Sequence, residues 1–170
     1  MRSAKILITG PPGCGKTTLI KRIADNVSYP VKGFFTAEIR KGGTRVGFEV
    51  ESFAGDKAVL SHVDIRSRNR VGKYGVDVEA FEKIALPEIK NAIASKNLLI
   101  IDEIGKMELY SVKFKELITT AFKAEIPIIA TILYKPHPFC DRLKSMADVE
   151  IARLRRDNIE SSLKEISEKL

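Results

Sequence analysis

Apolar positions along this chain recur with two different periods, and the changes of period divide it into elements. Residues 4 to 9 form a short β-branched run that ends in a Gly/Pro cluster, the pattern of a buried strand meeting a turn. Leu19, Ile20, Ile23 and Val27 then recur at three- and four-residue intervals, which predicts a helix and completes half of a βαβ unit. Segments 34 to 40, 45 to 53 and 57 to 63 are rich in Phe, Val and Ile and are separated by KGG and AGD. They predict a hairpin and a third strand, so 34 to 63 is expected to be an antiparallel β extension of the main sheet. Residues 64 to 75, DIRSRNRVGKYG, are basic and Gly-punctuated and read as a long surface loop.

Helical spacing resumes at Val78, Phe81, Ile84, Ala85, Ile89 and Ile93, where Pro87 is expected to kink the helix or begin a second one. The runs LLIID at 98 to 102 and IPIIATIL at 126 to 133 are continuously apolar, as in strands that a parallel sheet buries on both faces, and 112 to 124 between them reads as a helix. Asp157 and Glu160, at capping-box spacing, open a last helix with Ile159, Leu163, Ile166 and Leu170 on one face. Strand and helix alternate, so the fold class is α/β, with a mostly parallel sheet flanked by helices.

A length of 170 residues fits one domain spanning 1 to 170. Composition adds three constraints. At 44% hydrophobic and 30% charged residues the chain has the content of a soluble globular protein rather than a disordered one. Two cysteines, Cys14 and Cys140, with no Cys-x-x-Cys pair, argue against a disulfide framework or structural zinc and for a cytoplasmic setting. The first ten residues are basic and then apolar but too short for a signal peptide, and no apolar run is long enough to span a membrane. The net charge of +7 favours an anionic partner: phosphate, nucleic acid or an acidic surface.

The chemistry is concentrated in two places. Gly10-Pro11-Pro12-Gly13-Cys14-Gly15-Lys16-Thr17, followed by Thr18, satisfies G-x-x-x-x-G-K-[ST] between a predicted strand and a predicted helix, the context a P-loop (Walker A) requires. Glycines let successive backbone N–H groups close on a phosphate that a Cβ would hold off. Lys16 supplies a charge for the β/γ oxygens and the Thr17 hydroxyl a ligand for Mg²⁺. The second place is the end of the strand 98 to 102, a Walker B pattern. Asp102 there can hold Mg²⁺, while Glu103, pointing the other way, can reach the attacking water.

GPPGCGKTTLI at 10 to 20, GFFTAEIRKGGTRVGFEV at 33 to 50, VGKYGVD at 71 to 77 and DEIGKMEL at 102 to 109 together resemble the cancer-related nucleoside triphosphatases, small P-loop enzymes with relatives in heat-loving microbes. The resemblance covers most of the chain. It implies a RecA-like α/β fold and slow, base-tolerant, Mg²⁺-dependent hydrolysis of nucleoside triphosphates. It also implies a role for an arginine near the C-terminus, where the family usually reads Asn-Arg and this chain has Arg155-Arg156.

Other readings remain open at this level. Asp102-Glu103-Ile104-Gly105 fits the D-x-x-G of GTP switches, in which the Gly105 amide would meet the γ-phosphate, but no Asn-Lys-x-Asp is present to read guanine. Thr131 could sense the γ-phosphate or merely close its strand. Lys106 and Glu108 either turn inward beside the acids or lie in a solvated loop. Arg66, Arg68 and Arg70, with Lys73, could form an arginine finger or lid, as could Arg156, and a solvated basic surface is the alternative. His137-x-x-Cys140 is half of a metal motif without its second half. Phe34 and Phe35 could stack on a base, though one of two adjacent strand residues faces the core. A small-molecule or nucleoside kinase is the runner-up function. A nucleotide-gated nucleic-acid-binding module is a third reading, suggested by charge and opposed by the low aromatic content.

Overall fold

The computed structural model describes residues 3–170; the first two residues of the basic N-terminus lie outside them. The elements run β1 (Lys5–Thr9), α1 (Lys16–Asn26), β2 (Val31–Lys41), β3 (Thr44–Ser52), β4 (Lys57–His62), β5 (Arg70–Val71), β6 (Tyr74–Val76), α2 (Val78–Ser95), β7 (Leu98–Ile104), α3 (Val112–Lys123), β8 (Ile128–Ile132), α4 (Pro138–Lys144), β9 (Glu150–Arg153) and α5 (Ile159–Glu168). The strands form one sheet in the order β5-β6-β4-β3-β2-β7-β8-β1-β9.

From β2 to β9 neighbouring strands are parallel, and all five residues of β1 and of β8 are buried. That is what their unbroken apolar runs require, because helices cover both faces. On one face Phe81 of α2 and Phe114 of α3 stack edge-on, 5.1 Å apart, and Phe34 of β2 lies 5.4 Å from Phe81. On the other face α1 and α5 bury Leu19, Ile20, Ile23, Leu163 and Ile166 against Ile6, Ile8 and Ile100. From β2 to β5 the neighbours are antiparallel and burial is mixed, as in a sheet with one solvated face. The β2–β3 connection is the two residues Gly42 and Gly43, both at positive φ (57° and 77°), which matches the hairpin turn whose twist suits the flanking strands.

Three expectations are corrected. The stretch 64 to 75 is not all loop: Arg70–Val71 and Tyr74–Val76 form an edge hairpin on β4, because Val76 and Tyr74 are buried and their backbone groups pair with the sheet. Pro87 neither ends nor divides α2, which runs on to Ser95 with Phe81, Ala85, Ile89 and Ala92 buried along one stripe. The last helix starts at Ile159 with Asn158 as its cap position, not Asp157. The Asn158 side chain bonds Arg155 N and Arg153 O, and Glu160 pairs with Arg22 of α1. Two elements carried no sequence pattern. Helix α4 is one and a half to two turns long, and β9, mostly exposed, exists through its parallel pairing with β1. Among the described residues no helix is long and apolar enough to cross a membrane.

Candidate active site

Strand β1 delivers the chain to the P-loop at the carboxyl edge of the parallel strands, where ligands of such sheets bind. Gly13 and Gly15 take positive φ (74° and 101°), and a Cβ on Gly10 would come within 2.5 Å of the Leu154 carbonyl oxygen and 2.8 Å of Cys14 Sγ. No side chain caps α1, so the first amides of the helix face the cavity as an anion-binding end. Lys16 Nζ spans the loop, donating to the Gly10 and Pro11 carbonyls at 2.9 and 3.2 Å. Cys14 is buried beneath the loop as a small filler, and Pro11 is exposed on its outside.

Strand β7 brings the acids to the same edge. Asp102, 3% exposed, accepts from the Thr17 hydroxyl through Oδ2 and from the Thr131 hydroxyl through Oδ1, each at 2.8 Å. Burial pushes its carboxyl upward, opposed by the two hydroxyls and by Lys16. Thr131 is fully buried, and its structural role is to fix the Asp102 carboxylate. Glu103 faces the cavity; burial and then the Asp102 charge raise its proton affinity, and Lys16 lowers it. A carboxylate whose proton affinity is raised in this way is a stronger base toward water.

The cavity these groups line has a volume of about 690 Å³, within the range of small-molecule sites. On one side it is bounded by Gly10, Pro12, Gly13, Gly15 and residues 16 to 18, and on its floor by Asp102 and Glu103. Its far wall is one that sequence reasoning did not assign: Thr36, Ala37 and Glu38 of β2 with Arg45 and Phe48 of β3, closed above by Lys106 and residues 133 to 135. The signal was present in the segment 33 to 50, but no local spacing says that it turns toward the P-loop.

Several candidates fall elsewhere. Gly105 is not on the cavity: its N–H is taken by Glu108 Oε2 at 3.2 Å, so it does not act as the D-x-x-G amide of a switch. Glu108 does turn inward, 5% exposed, and burial together with the Glu103 charge pushes its carboxyl up to about 8. Arg66, Arg68 and Arg70 do not line the cavity, and Arg70 is spent on the carbonyls of Ile65 and Lys73 within its own loop. Arg156 lies against the P-loop, Nε to the Gly13 carbonyl at 3.4 Å, on its outer flank. Phe34 is sealed in the core, and Phe35 stacks on Phe53 beneath Lys21. His137 caps α4, Cys140 is buried with its thiol pushed up to about 11, and no metal-ligating cluster occurs among the described residues.

Residues 5–167 match the family model described as NTPase, nearly the whole chain. The chain belongs to this NTPase family. It is 44% identical over 162 residues to the nucleoside-triphosphatase THEP1 of Thermotoga petrophila, covering 95% of this chain and 90% of that one. To the human cancer-related nucleoside-triphosphatase it is 36% identical over 169 residues, 90% and 89% of the two chains. The crystal structure of THEP1 from Aquifex aeolicus superposes with a TM-score of 0.88 at 35% identity, covering 95% and 96%. The solution structure of the human protein gives 0.83 at 34% identity, covering 96% and 95%. The α/β class expected from the alternating elements, and the P-loop NTPase fold that the motif and the resemblance implied, are the fold observed.

Proposed function

We propose that this NTPase-family enzyme hydrolyses the γ-phosphate of nucleoside triphosphates with Mg²⁺, Glu103 orienting and deprotonating the attacking water, and with little selection among bases. The observation that carries the reading is the joining of the P-loop to the Walker B acid: the 2.8 Å contact between the Thr17 hydroxyl and Asp102, with Glu103 next to it on the cavity floor. A buried carboxylate in contact with a hydroxyl is a hard oxygen donor set that fits a magnesium ion, so Thr17 and Asp102 are the residues to hold it. When bound, such an ion neutralises charge on the β and γ oxygens.

The chain's own groups account for the rest. The amides at the start of α1 and the Lys16 ammonium bind and orient the phosphates. Thr131 keeps Asp102 in one orientation, while Glu103 accepts the proton of the water that attacks the γ-phosphorus. Base tolerance is supported by the lack of a guanine-reading motif. The nucleic-acid reading is weakened by topology. The two arginine clusters, 66 to 70 and 153 to 156, lie at opposite edges of the nine-stranded sheet and do not form one stripe.

The test is phosphate release from ATP, GTP, CTP and UTP by wild type and Glu103→Gln, with and without candidate hydroxyl acceptors. Rates should differ by less than about tenfold among the four, and Glu103→Gln should lose roughly a hundredfold or more while binding triphosphate as before. Wild-type hydrolysis by Glu103→Gln, or transfer to an acceptor faster than to water, would put the kinase reading first.

A further inference from the structure

Arg45 is the one arginine lining the cavity among the described residues, and its surroundings set it apart from the lysines there. Only residues 31 to 34 of β2 pair with β7, so the rest of β2 continues past the carboxyl edge of the parallel strands, carrying β3 with it. Arg45 pairs across the hairpin with Arg40, in this overhang. Its guanidinium is held by three residues. Nε donates to Tyr74 Oη at 2.9 Å and Nη1 to Glu38 Oε1 at 3.0 Å, and the group lies 5.1 Å from the Phe48 ring and 5.7 Å from that of Tyr74.

A half-exposed ion pair contributes little to stability, so three residues converging on one guanidinium are explained by placement rather than by folding energy. The direction of the triphosphate says what is placed. In the hydrolysis reading the first amides of α1 would take the β-phosphate, and Thr17 with Asp102 would hold the metal ion that neutralises the terminal phosphates. Glu103 therefore lies at the γ end, and the nucleoside leaves on the opposite flank, where Arg156 meets Gly13. The β2–β3 wall stands on the Glu103 side, because β2 is the strand hydrogen-bonded to β7.

We propose that Arg45 is a catalytic residue of the hydrolysis, an arginine finger supplied by the chain's own β2–β3 hairpin, which contacts the γ-phosphoryl oxygens as negative charge builds during transfer. Glu38 and Tyr74 are its positioning residues. The proposal rests on the hydrolysis reading for the location of the γ-phosphate. A planar, weakly hydrated fork suits the equatorial oxygens of a transferring phosphoryl group, which the point charges of Lys106 and Lys135 do not match.

The experiment pairs single-turnover kinetics with a transition-state mimic, ADP with aluminium fluoride. Arg45→Ala should lower the hydrolytic rate constant by about a thousandfold or more, the usual worth of such a group, while a non-hydrolysable ATP analogue binds within about threefold of wild type. Formation of the ADP–aluminium fluoride complex should be lost, and free guanidinium should restore part of the rate. Arg45→Lys, which keeps the stem and charge, covers the case in which the alanine variant is misfolded; it should still lose at least about tenfold. The proposal is overturned if either variant keeps the wild-type rate, if analogue binding falls in step with the rate, or if guanidinium restores nothing to a folded Arg45→Ala. If wild type transfers the phosphoryl group to an acceptor instead of water, the hydrolysis reading fails by itself. The Arg45 comparison is then read on the transfer rate.

Discussion

The parallel and antiparallel halves of the sheet share strand β2 and are built on different rules. In the parallel half β1, β7 and β8 are buried on both faces and deliver Lys16, Thr17, Asp102 and Glu103 to one edge, where the Thr17 hydroxyl meets Asp102. From β3 to β5 one face is solvated, the side chains are ion pairs such as Lys57 with Glu49 and Glu51, and the contribution to the cavity is a wall. Reactive groups need fixed positions: helix packing fixes the acids of the parallel half, while in the antiparallel half Arg45 is held by Tyr74, Glu38 and Phe48.

The largest test of that difference removes one cation from each half. Lys16→Ala should abolish turnover and weaken triphosphate affinity, since its ammonium is the P-loop charge placed for the β/γ oxygens. Lys57→Ala, exposed and not among the residues lining the cavity, should leave both unchanged. Phosphate release and equilibrium binding read both variants, and turnover in Lys16→Ala at the wild-type rate would remove the P-loop from the mechanism.

Stability gives a second contrast. Ile100→Ala on β7, fully buried, should cost about 2–5 kcal/mol in denaturant unfolding, whereas Val59→Ala on β4, 41% exposed, should cost less than about 1 kcal/mol. Equal costs would mean that the halves are equally packed.

A smaller effect comes from Glu108, in the turn just after β7. Its carboxyl is raised from an ordinary value of 4.5 to about 8, so the folded state holds the proton more tightly than the unfolded chain does. Stability from this group is therefore complete at acid pH below the ordinary value and is lost as pH rises toward 8. Glu108→Gln keeps an acceptor for the Gly105 N–H and carries no charge. Its melting temperature should match wild type near pH 4 and exceed it near pH 9 by on the order of 5 °C. Parallel curves for the two proteins would show that Glu108 ionises normally.

Legibility followed the range of the interactions. The P-loop, its strand and helix, and the Asp102–Glu103 pair were readable because each depends on neighbours within a few residues: glycines at a turn, an apolar run, a carboxylate at its end. Hairpin β2–β3 was also readable, since Gly42 and Gly43 specify a turn by their own backbone freedom. By contrast β9, four residues with no alternation of their own, takes its strand conformation from β1, and the pair Arg70–Val71 and Tyr74–Val76 takes its from β4. The reading of 64 to 75 as loop failed for that reason: its apolar residues are too few to show a period, yet they face a sheet edge.

The same division runs through the site. By itself the sequence determined that a phosphate-binding loop and a pair of acids exist, because φ-permissive glycines and strand-end carboxylates are local properties. Only the tertiary structure decided that Thr131 serves Asp102 from a neighbouring strand, that Glu108 takes the Gly105 amide, that the 66 to 70 arginines lie away from the cavity, and that Arg45 lines it. Each of those is a meeting of side chains brought together by sheet order. Strand order is set by which apolar faces and backbone groups can be satisfied together, a sum over the whole chain that no short window of it contains.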